Sequence, residues 1–538
     1  MYDYIIVGAG SAGCVLANRL TEDPSVKVLL LEAGPPDSKR EIHTPLAFSK
    51  LFQSPCDWSF YTEAEPQLEN RKLYWPRGKV LGGSSSINAM IYIRGNHRDY
   101  DTWHDLGNPG WSFADVLPYF KKSQNQERGP SEYHATGGPL NVSDLRCLNP
   151  MSHAFVDAAE EAGFPRNPDF NGASQEGFGF YQVTQQNGRR HSAAHAFLRP
   201  VMGRRNLKVL TDVHVSGILF EGRSAVAVSF HQNDGNHQER AEREIILCGG
   251  AIGSPHVLLL SGVGPADQVR RFSIPVVCDL PGVGANLQDH PAIGLIYSSL
   301  RPVSLLNAER LPSVLRYLCF KNGPLTSNVA EGGGFVRLSS TSRTPDIQFH
   351  FAPGFFKNHG FETSTEHSFS FGPTLIRPRS NGHISLRSSN PLDAPRIYAN
   401  YFTEASDMEL MVEGLKLSRH LAHARAFSEF RGRELYPGDH VQSDDEIRGY
   451  IRQAAETLYH PVGTCKMGSD AMAVVDSELR VHGLDRLRVV DASIMPTVPG
   501  GNTNAPTIMV AEKAADLIKK GSLKAATHPA ADLAEVRR

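Results

Sequence analysis

The chain has 538 residues, more than one hydrophobic core usually serves, so two domains are expected. Lys plus Arg (55) nearly balance Asp plus Glu (57), for a net charge of −2, and with no basic run this excludes a nucleic-acid footprint. The seven cysteines are odd in number, widely spaced and without a Cys-x-x-Cys, which argues against a disulfide framework and for a reducing compartment.

Tyr4 to Val7 is an apolar β-rich run, Gly8 to Gly13 a turn, and Cys14 to Leu20 the continuation into a helix. Lys27 to Leu31 reads as a second buried strand ending in Glu32, and two such strands around a helix imply a parallel sheet covered on both faces. No charged leader with a cleavage site precedes the first strand, and no uncharged apolar run approaches the roughly 18 residues that span a bilayer. A cytoplasmic location is expected, with peripheral contact on the inner membrane as the alternative. Parallel-sheet signal returns at 244–250 and at Leu487 to Val490. Between them, residues 291–400 hold short β runs separated by Pro, Gly and Ser turns, which suits an antiparallel sheet. Helical pattern occupies 404–424 and 444–457, and the alanine-rich end, 522–538, reads as frayed.

The expected fold is therefore α/β: a Rossmann-like cofactor domain assembled from 1–40, 75–110, 190–290 and 455–522. A substrate domain on an antiparallel sheet flanked by helices takes 41–74, 111–189 and 291–454, leaving 523–538 as a flexible tail.

Gly8-Ala9-Gly10-Ser11-Ala12-Gly13 follows a strand and opens a helix, the context in which this spacing reads as dinucleotide binding. Gly8 permits the tight turn, Gly10 lets the backbone approach a pyrophosphate, and Gly13 lets the helix lie close to the sheet. The helix start offers unpaired N–H groups and partial positive charge to the phosphates. Glu32, 19 residues after Gly13, is placed to accept both hydroxyls of an adenosine ribose. The motif alone does not separate NAD from FAD. Arg77-Gly78-Lys79-Val80-Leu81-Gly82-Gly83-Ser84-Ser85-Ser86-Ile87-Asn88 offers bare backbone and hydroxyls suited to a phosphate, a ribityl chain or a flavin edge. Gly250 to Gly264 reads as a short helix between glycine turns.

These stretches resemble the two signature patterns of the glucose–methanol–choline family of FAD oxidoreductases, at 78–95 and 250–264. The resemblance continues through Tyr459-His460-Pro461-Val462-Gly463-Thr464-Cys465 and through Asp491-Ala492-Ser493 to Gly501-Asn502-Thr503-Asn504-Ala505-Pro506-Thr507, covering residues 2–520. Within the family the chain is most similar to bacterial alkanol dehydrogenases and to choline dehydrogenases; furfural- and aryl-alcohol oxidases are also similar.

The resemblance implies FAD-dependent oxidation of a primary alcohol, with electrons passed to a quinone or to oxygen. It implies that His460 is the base for the hydroxyl proton, with Asn504 holding the alcohol oxygen; an amide binds by hydrogen bonding but does not serve as a base. It places Gly8, Gly10, Ser11, Ala12, Gly13, Glu32, Ala33, Arg77, Val80, Gly82, Gly83, Ser84, Asn88, Ala89, Met90, Val213, Asp491, Ala492, Thr503, Asn504 and Thr507 at the cofactor. Some relatives carry the flavin on a histidine where this chain has Ile87, so a non-covalent cofactor is expected. Glu331 is a candidate to approach a cationic substrate, and Leu458 to influence oxygen reactivity. His191 and His195 share a spacing of four, but no third ligand is evident and no metal site is expected.

Overall fold

In the computed structural model, which describes residues 1–232, 235–339 and 341–527, two sheets face each other across a large cavity. The first is mixed. Its parallel part runs Leu207–Leu210, Val28–Leu31, Tyr2–Val7, Gly235–Leu247 and Leu487–Val489, in that order across the sheet. Ile5, Ile6, Leu29, Leu30, Ile245 and Ile246 are fully buried in it, as continuous apolar strands covered on both faces must be. The strand Gly235–Leu247 changes partner with its composition. Its polar half pairs antiparallel with Ser224–Gln232, which pairs in turn with His214–Glu221; its apolar half, Ile245 to Leu247, enters the parallel sheet.

The second sheet is antiparallel and orders Arg431–Tyr436, Leu295–Ser299, Ser368–Leu375, Ile347–Ala352, Gly332–Val336 and Gly177–Phe180. Alternation divides its faces. Phe349, Phe351, Phe369 and Phe371 join the core formed with the helices Pro150–Glu161 and Ala405–Ala422. His350, Ala352, Ser370, Gly372 and Thr374 line the cavity.

Three boundaries differ from the sequence expectation. The helix Phe113–Ser123, assigned to the substrate segment 111–189, packs on the C-terminal helix Asn504–Thr527, and Trp111, Val116 and Phe120 belong to the core of the first sheet. Val116 and Phe120 lie one turn apart on one apolar face, and the Trp111 indole donates to the Ser477 carbonyl at 2.9 Å. Glu456–Thr457 does not continue the helix Asp444–Ala454; it pairs with Pro291–Ala292 and so joins the second sheet. The last helix runs to Thr527, past the expected end at 522, and the remainder of the expected tail, 528–538, lies outside the described residues.

The N-terminal helix Ser11–Leu20 has no side-chain cap, its cap position being Gly10. Its closeness to the first strand is set by Gly13, where an added Cβ would lie 1.9 Å from the Gly8 carbonyl oxygen, a backbone atom that cannot yield. Gly13→Ala is therefore expected to push the helix off the turn. Overpacking of this kind costs about 1–3 kcal/mol. Purified Gly13→Ala should carry less flavin per chain and unfold at lower temperature; parental values of both would refute the close-packing role.

Candidate functional site

The cavity encloses about 1380 Å³, more than a small substrate needs. It opens at the carboxyl ends of the parallel strands, where Val7, Leu31 and Glu32 line it, the usual ligand crevice of an open α/β sheet.

At this end Glu32 is buried, and its two oxygens accept from the backbone N–H groups of Ala9 and Gly34, each at 2.9 Å. Burial pushes its pKa up to about 7. Gly83 crosses directly over the glycine turn: its φ is +53°, and a Cβ there would stand 2.7 Å from Gly10 Cα. Any side chain at 83 would fill the cradle between the two loops. Ser11 Oγ donates to Asn504 Oδ1 at 2.7 Å, so the starts of the first and last helices meet at the cavity wall and both present positive ends. A glycine-bounded cradle with two helix N-termini and a buried carboxylate beyond it suits the pyrophosphate and ribose of a dinucleotide.

Of the sequence-proposed cofactor residues, Gly8, Gly10, Ser11, Ala12, Glu32, Ala33, Arg77, Gly83, Ser84, Asn88, Ala89, Met90, Val213, Asp491, Ala492, Thr503, Asn504 and Thr507 line this cavity. Gly13, Val80 and Gly82 do not; they support the lining from behind. Gly82 N donates to the Ala9 carbonyl at 2.8 Å, tying the double-glycine loop to the turn. Asp491 has both oxygens engaged: one accepts from Gly250 N and Ser254 Oγ, the other from Ser493 N and Oγ. It pins the start of the helix Gly250–Leu260 against the cavity.

At the other end stands His460, on a loop held from several sides. Its backbone N–H donates to Asp289 Oδ1 at 2.6 Å, while Asp289 Oδ2 accepts from Thr457 Oγ1 at 2.5 Å and from the Tyr401 hydroxyl. Arg77 Nη2 donates to the Tyr459 carbonyl at 2.6 Å. His460 Nδ1 lies 3.0 Å from His290 Nδ1, and His460 Nε2 lies 3.2 Å from Asn502 Nδ2.

The hydrogen-bond chain decides the tautomers. Tyr181 OH donates to the Phe349 carbonyl, Gln348 Nε2 donates to Tyr181 OH and to Asn502 Oδ1, and Asn502 therefore turns its NH₂ toward His460. A nitrogen that accepts from an amide carries a lone pair, so His460 holds its proton on Nδ1 and donates it to His290 Nδ1. The Nε2 lone pair, at the cavity wall, is the one that accepts from Asn502. Burial lowers the His460 pKa well below its ordinary value, with the neighbouring imidazoles of His290 and His350 adding to the shift. Burial likewise holds His290 down to about 3. The imidazole is neutral at pH 7.

Two expectations are corrected by this geometry. The amide against His460 belongs to Asn502, not to Asn504, whose Oδ1 is taken by Ser11. The two residues share a G-N-T-N run, and only the fold shows that the first asparagine precedes the helix and reaches the imidazole. Glu331 does not present its carboxylate to the cavity. It is 1% exposed and accepts from Asn149 N, Ser152 Oγ and Ser327 Oγ, while its neighbours Val329 and Ala330 form the lining. His290 and Asp289 were not among the sequence candidates. The visible signal is the polar run Asn286-Leu287-Gln288-Asp289-His290 closed by Pro291 beside a glycine turn.

A glycine turn opening onto such a cavity, with a buried neutral histidine at its far end, defines a dinucleotide-binding oxidoreductase built on two sheets. Models of the GMC oxidoreductase family match residues 2–292 and 378–511. The chain is 49% identical over 96% of both sequences to an alcohol dehydrogenase [acceptor] of Pseudomonas putida. It is 48% identical to the mitochondrial choline dehydrogenase of Mus musculus, covering 96% of this chain and 89% of that one. Among solved structures, pyridoxine 4-oxidase from Mesorbium loti superposes with a TM-score of 0.89 at 32% identity, covering 97% of this chain and 99% of the other. The chain belongs to the GMC oxidoreductase family, and its cofactor is FAD.

The two asparagines are separable by experiment. Asn502→Ala removes the donor to His460 Nε2 and should lower kcat by about 10²-fold, the usual effect of losing one preorganised donor. Asn504→Ala should act mainly on flavin retention, read as absorbance per chain after gel filtration. The reverse pattern would restore Asn504 as the partner of the base.

Proposed function

We propose that the protein oxidises a primary alcohol, aliphatic or aryl, to the aldehyde, and passes the electrons to a quinone or another acceptor. The observation that carries this reading is the neutral His460 imidazole at the cavity wall, its Nε2 accepting from the Asn502 amide, which an alcohol hydroxyl would displace, and its Nδ1–H held by His290. In it His460 Nε2 takes the hydroxyl proton and Asn502 Nδ2, which has a second hydrogen, steadies the alcohol oxygen. When bound, FAD supplies the two-electron oxidant that accepts the hydride from the carbinol carbon. Gly8, Gly10, Ser11 and Gly83 would hold its pyrophosphate, Glu32 the ribose, and Asn88, Ala89, Thr503 and Thr507 the flavin end. Ile87 at the position of the linking histidine supports a non-covalent cofactor.

Of the carboxylates that line the cavity, Glu362 pairs with Lys357 at 2.7 Å and Glu446 caps its own helix, while Glu456 lies 3.7 Å from the His359 imidazole. Phe48, Phe52, Phe356 and Tyr459 supply an aromatic wall, which suits an apolar alcohol and, by cation–π attraction, a quaternary ammonium as well. The relatives named for choline support the alternative cationic reading. The rival acceptor is oxygen; Leu458, which lines the cavity next to His460, is the residue most exposed to that choice.

His460→Ala should yield a yellow protein whose turnover falls by about 10²–10⁴-fold, the span of general-base contributions; unchanged turnover would remove the assignment. In the parent, kcat/KM should hold steady through neutral pH and decline only in an acid limb whose midpoint lies below 6.5. The sign follows from burial: a depressed histidine pKa keeps the base form populated to lower pH. Peroxide yield in air, set against reduction of a quinone analogue under nitrogen across alkanols, benzyl alcohols and choline, separates the acceptors and the substrates. Stoichiometric peroxide would replace the dehydrogenase reading with an oxidase.

A further inference from the structure

The helix Leu311–Phe320 departs from every other helix described in its surface. Fourteen large apolar side chains are exposed among the described residues, and four lie in this helix: Leu311 at 69%, Leu315 at 50%, Leu318 at 52% and Phe320 at 74%. Leu311, Leu315 and Leu318 follow the i, i+4, i+7 spacing and occupy an arc of about 60° on one face. Tyr317, the helix's one buried residue, points roughly 120° away from that stripe and donates to the His43 carbonyl at 3.2 Å. The helix is thus anchored by its opposite side, and the leucine stripe faces outward.

The charges around it are one-sided. Arg310, Arg316 and Lys321 belong to the helix or its ends, Arg146 Nη1 donates to the Lys321 carbonyl, and Arg189 is near enough to act on the Tyr317 phenol. No acidic side chain pairs with Arg310 or Arg316 among the described residues. Glu309, the only carboxylate in residues 301–323, is matched by Lys50. In a chain of net charge −2, five cations and one matched carboxylate thus surround its most apolar exposed helix among the described residues.

We propose that this helix docks the protein on an anionic lipid bilayer, Leu311, Leu315 and Leu318 entering the interface and the surrounding cations meeting phosphate headgroups. Among the described residues no helix is long and apolar enough to cross a membrane, so the contact lies in the interfacial plane. Its place has a consequence for the cavity. The segment that receives Tyr317 leads directly into Pro45–Leu51, which carries Phe48 into the aromatic wall. Docking would set that wall beside the bilayer, where apolar alcohols and lipid-soluble acceptors concentrate. The docking itself does not depend on which alcohol or acceptor the enzyme uses.

The test is sedimentation of the flavin-loaded full chain with vesicles of phosphatidylcholine, pure or containing one third phosphatidylglycerol. Binding is expected to the anionic vesicles, weaker to the neutral ones, and reduced by salt. Leu315→Glu with Leu318→Glu should lower vesicle affinity at least tenfold, and Arg310→Gln or Arg316→Gln about fivefold each. Turnover of a soluble dye should be unchanged in all four substitutions, which shows the fold intact. Equal sedimentation of parent and variants, or none by the parent, would overturn the proposal. So would a dimer in solution that Leu315→Glu dissociates, since the stripe would then belong to a second copy.

Discussion

The segment Asn286 to His290 is the constraint on which the rest of the site depends, and within it the buried carboxylate of Asp289 is the centre. A charge taken out of water is costly unless hydrogen bonds replace its hydration. Asp289 receives them from the His460 amide, Thr457 and Tyr401, and burial still holds its pKa above the usual range. Its neighbours reach elsewhere. Gln288 accepts from Val498 N and donates to the Pro496 carbonyl, Asn286 donates to Pro496 and Gly463, and His290 meets His460. One five-residue run therefore joins the base loop, the segment before Asn502 and the edge of the second sheet. Asn286, Gln288, Asp289 and His290, which help set the separation of His460 from Asn502, lie behind the cavity lining.

That arrangement explains what was legible in the sequence. The strand, glycine turn and helix of residues 2–20 are specified by contacts within a short stretch, so their spacing announces them; the structure finds the helix at Ser11–Leu20 and Glu32 at the end of the second strand. The parallel strands at 245–247 and 487–489 are readable for a related reason, because burial on both faces demands unbroken apolar runs. The antiparallel sheet is readable only as a class. Which alternate residues face the cavity follows from its pairing, and pairing joins Gly177–Phe180 to Gly332–Val336 across more than 150 residues.

The amide that meets His460 was not legible, and the reason is physical. Asn502 and Asn504 have the same chemistry and lie two residues apart at a helix start, so either can turn toward the imidazole. The outcome depends on Gln348, which holds the Asn502 carbonyl, and on Ser11, which occupies Asn504 from the opposite end of the chain. Both partners are distant in sequence. The same holds for Glu331, whose carboxylate is withdrawn by Asn149, Ser152 and Ser327. A carboxylate near a cavity in sequence is not thereby a carboxylate in it.

The two ends of the cavity also differ in what burial does to their titrating groups. At the nucleotide end burial raises the Glu32 pKa, which favours the neutral acid; at the catalytic end it lowers those of His290, His350 and His460, which favours the neutral base. The same desolvation thus pushes the groups at both ends toward their neutral forms. A ligand offering donors to Glu32 would offset the cost of its charge, so the carboxylate ionises on binding. No such compensation exists at His460, where the neighbours are themselves neutral imidazoles and an amide. His460 is therefore neutral, and on the proposed reading, where it takes the alcohol proton, the imidazolium would have the His290 Nδ1 lone pair to receive its Nδ1–H. On that reading His290 would be a positioning residue for both states of His460, fixing the tautomer before proton transfer and steadying the cation after it.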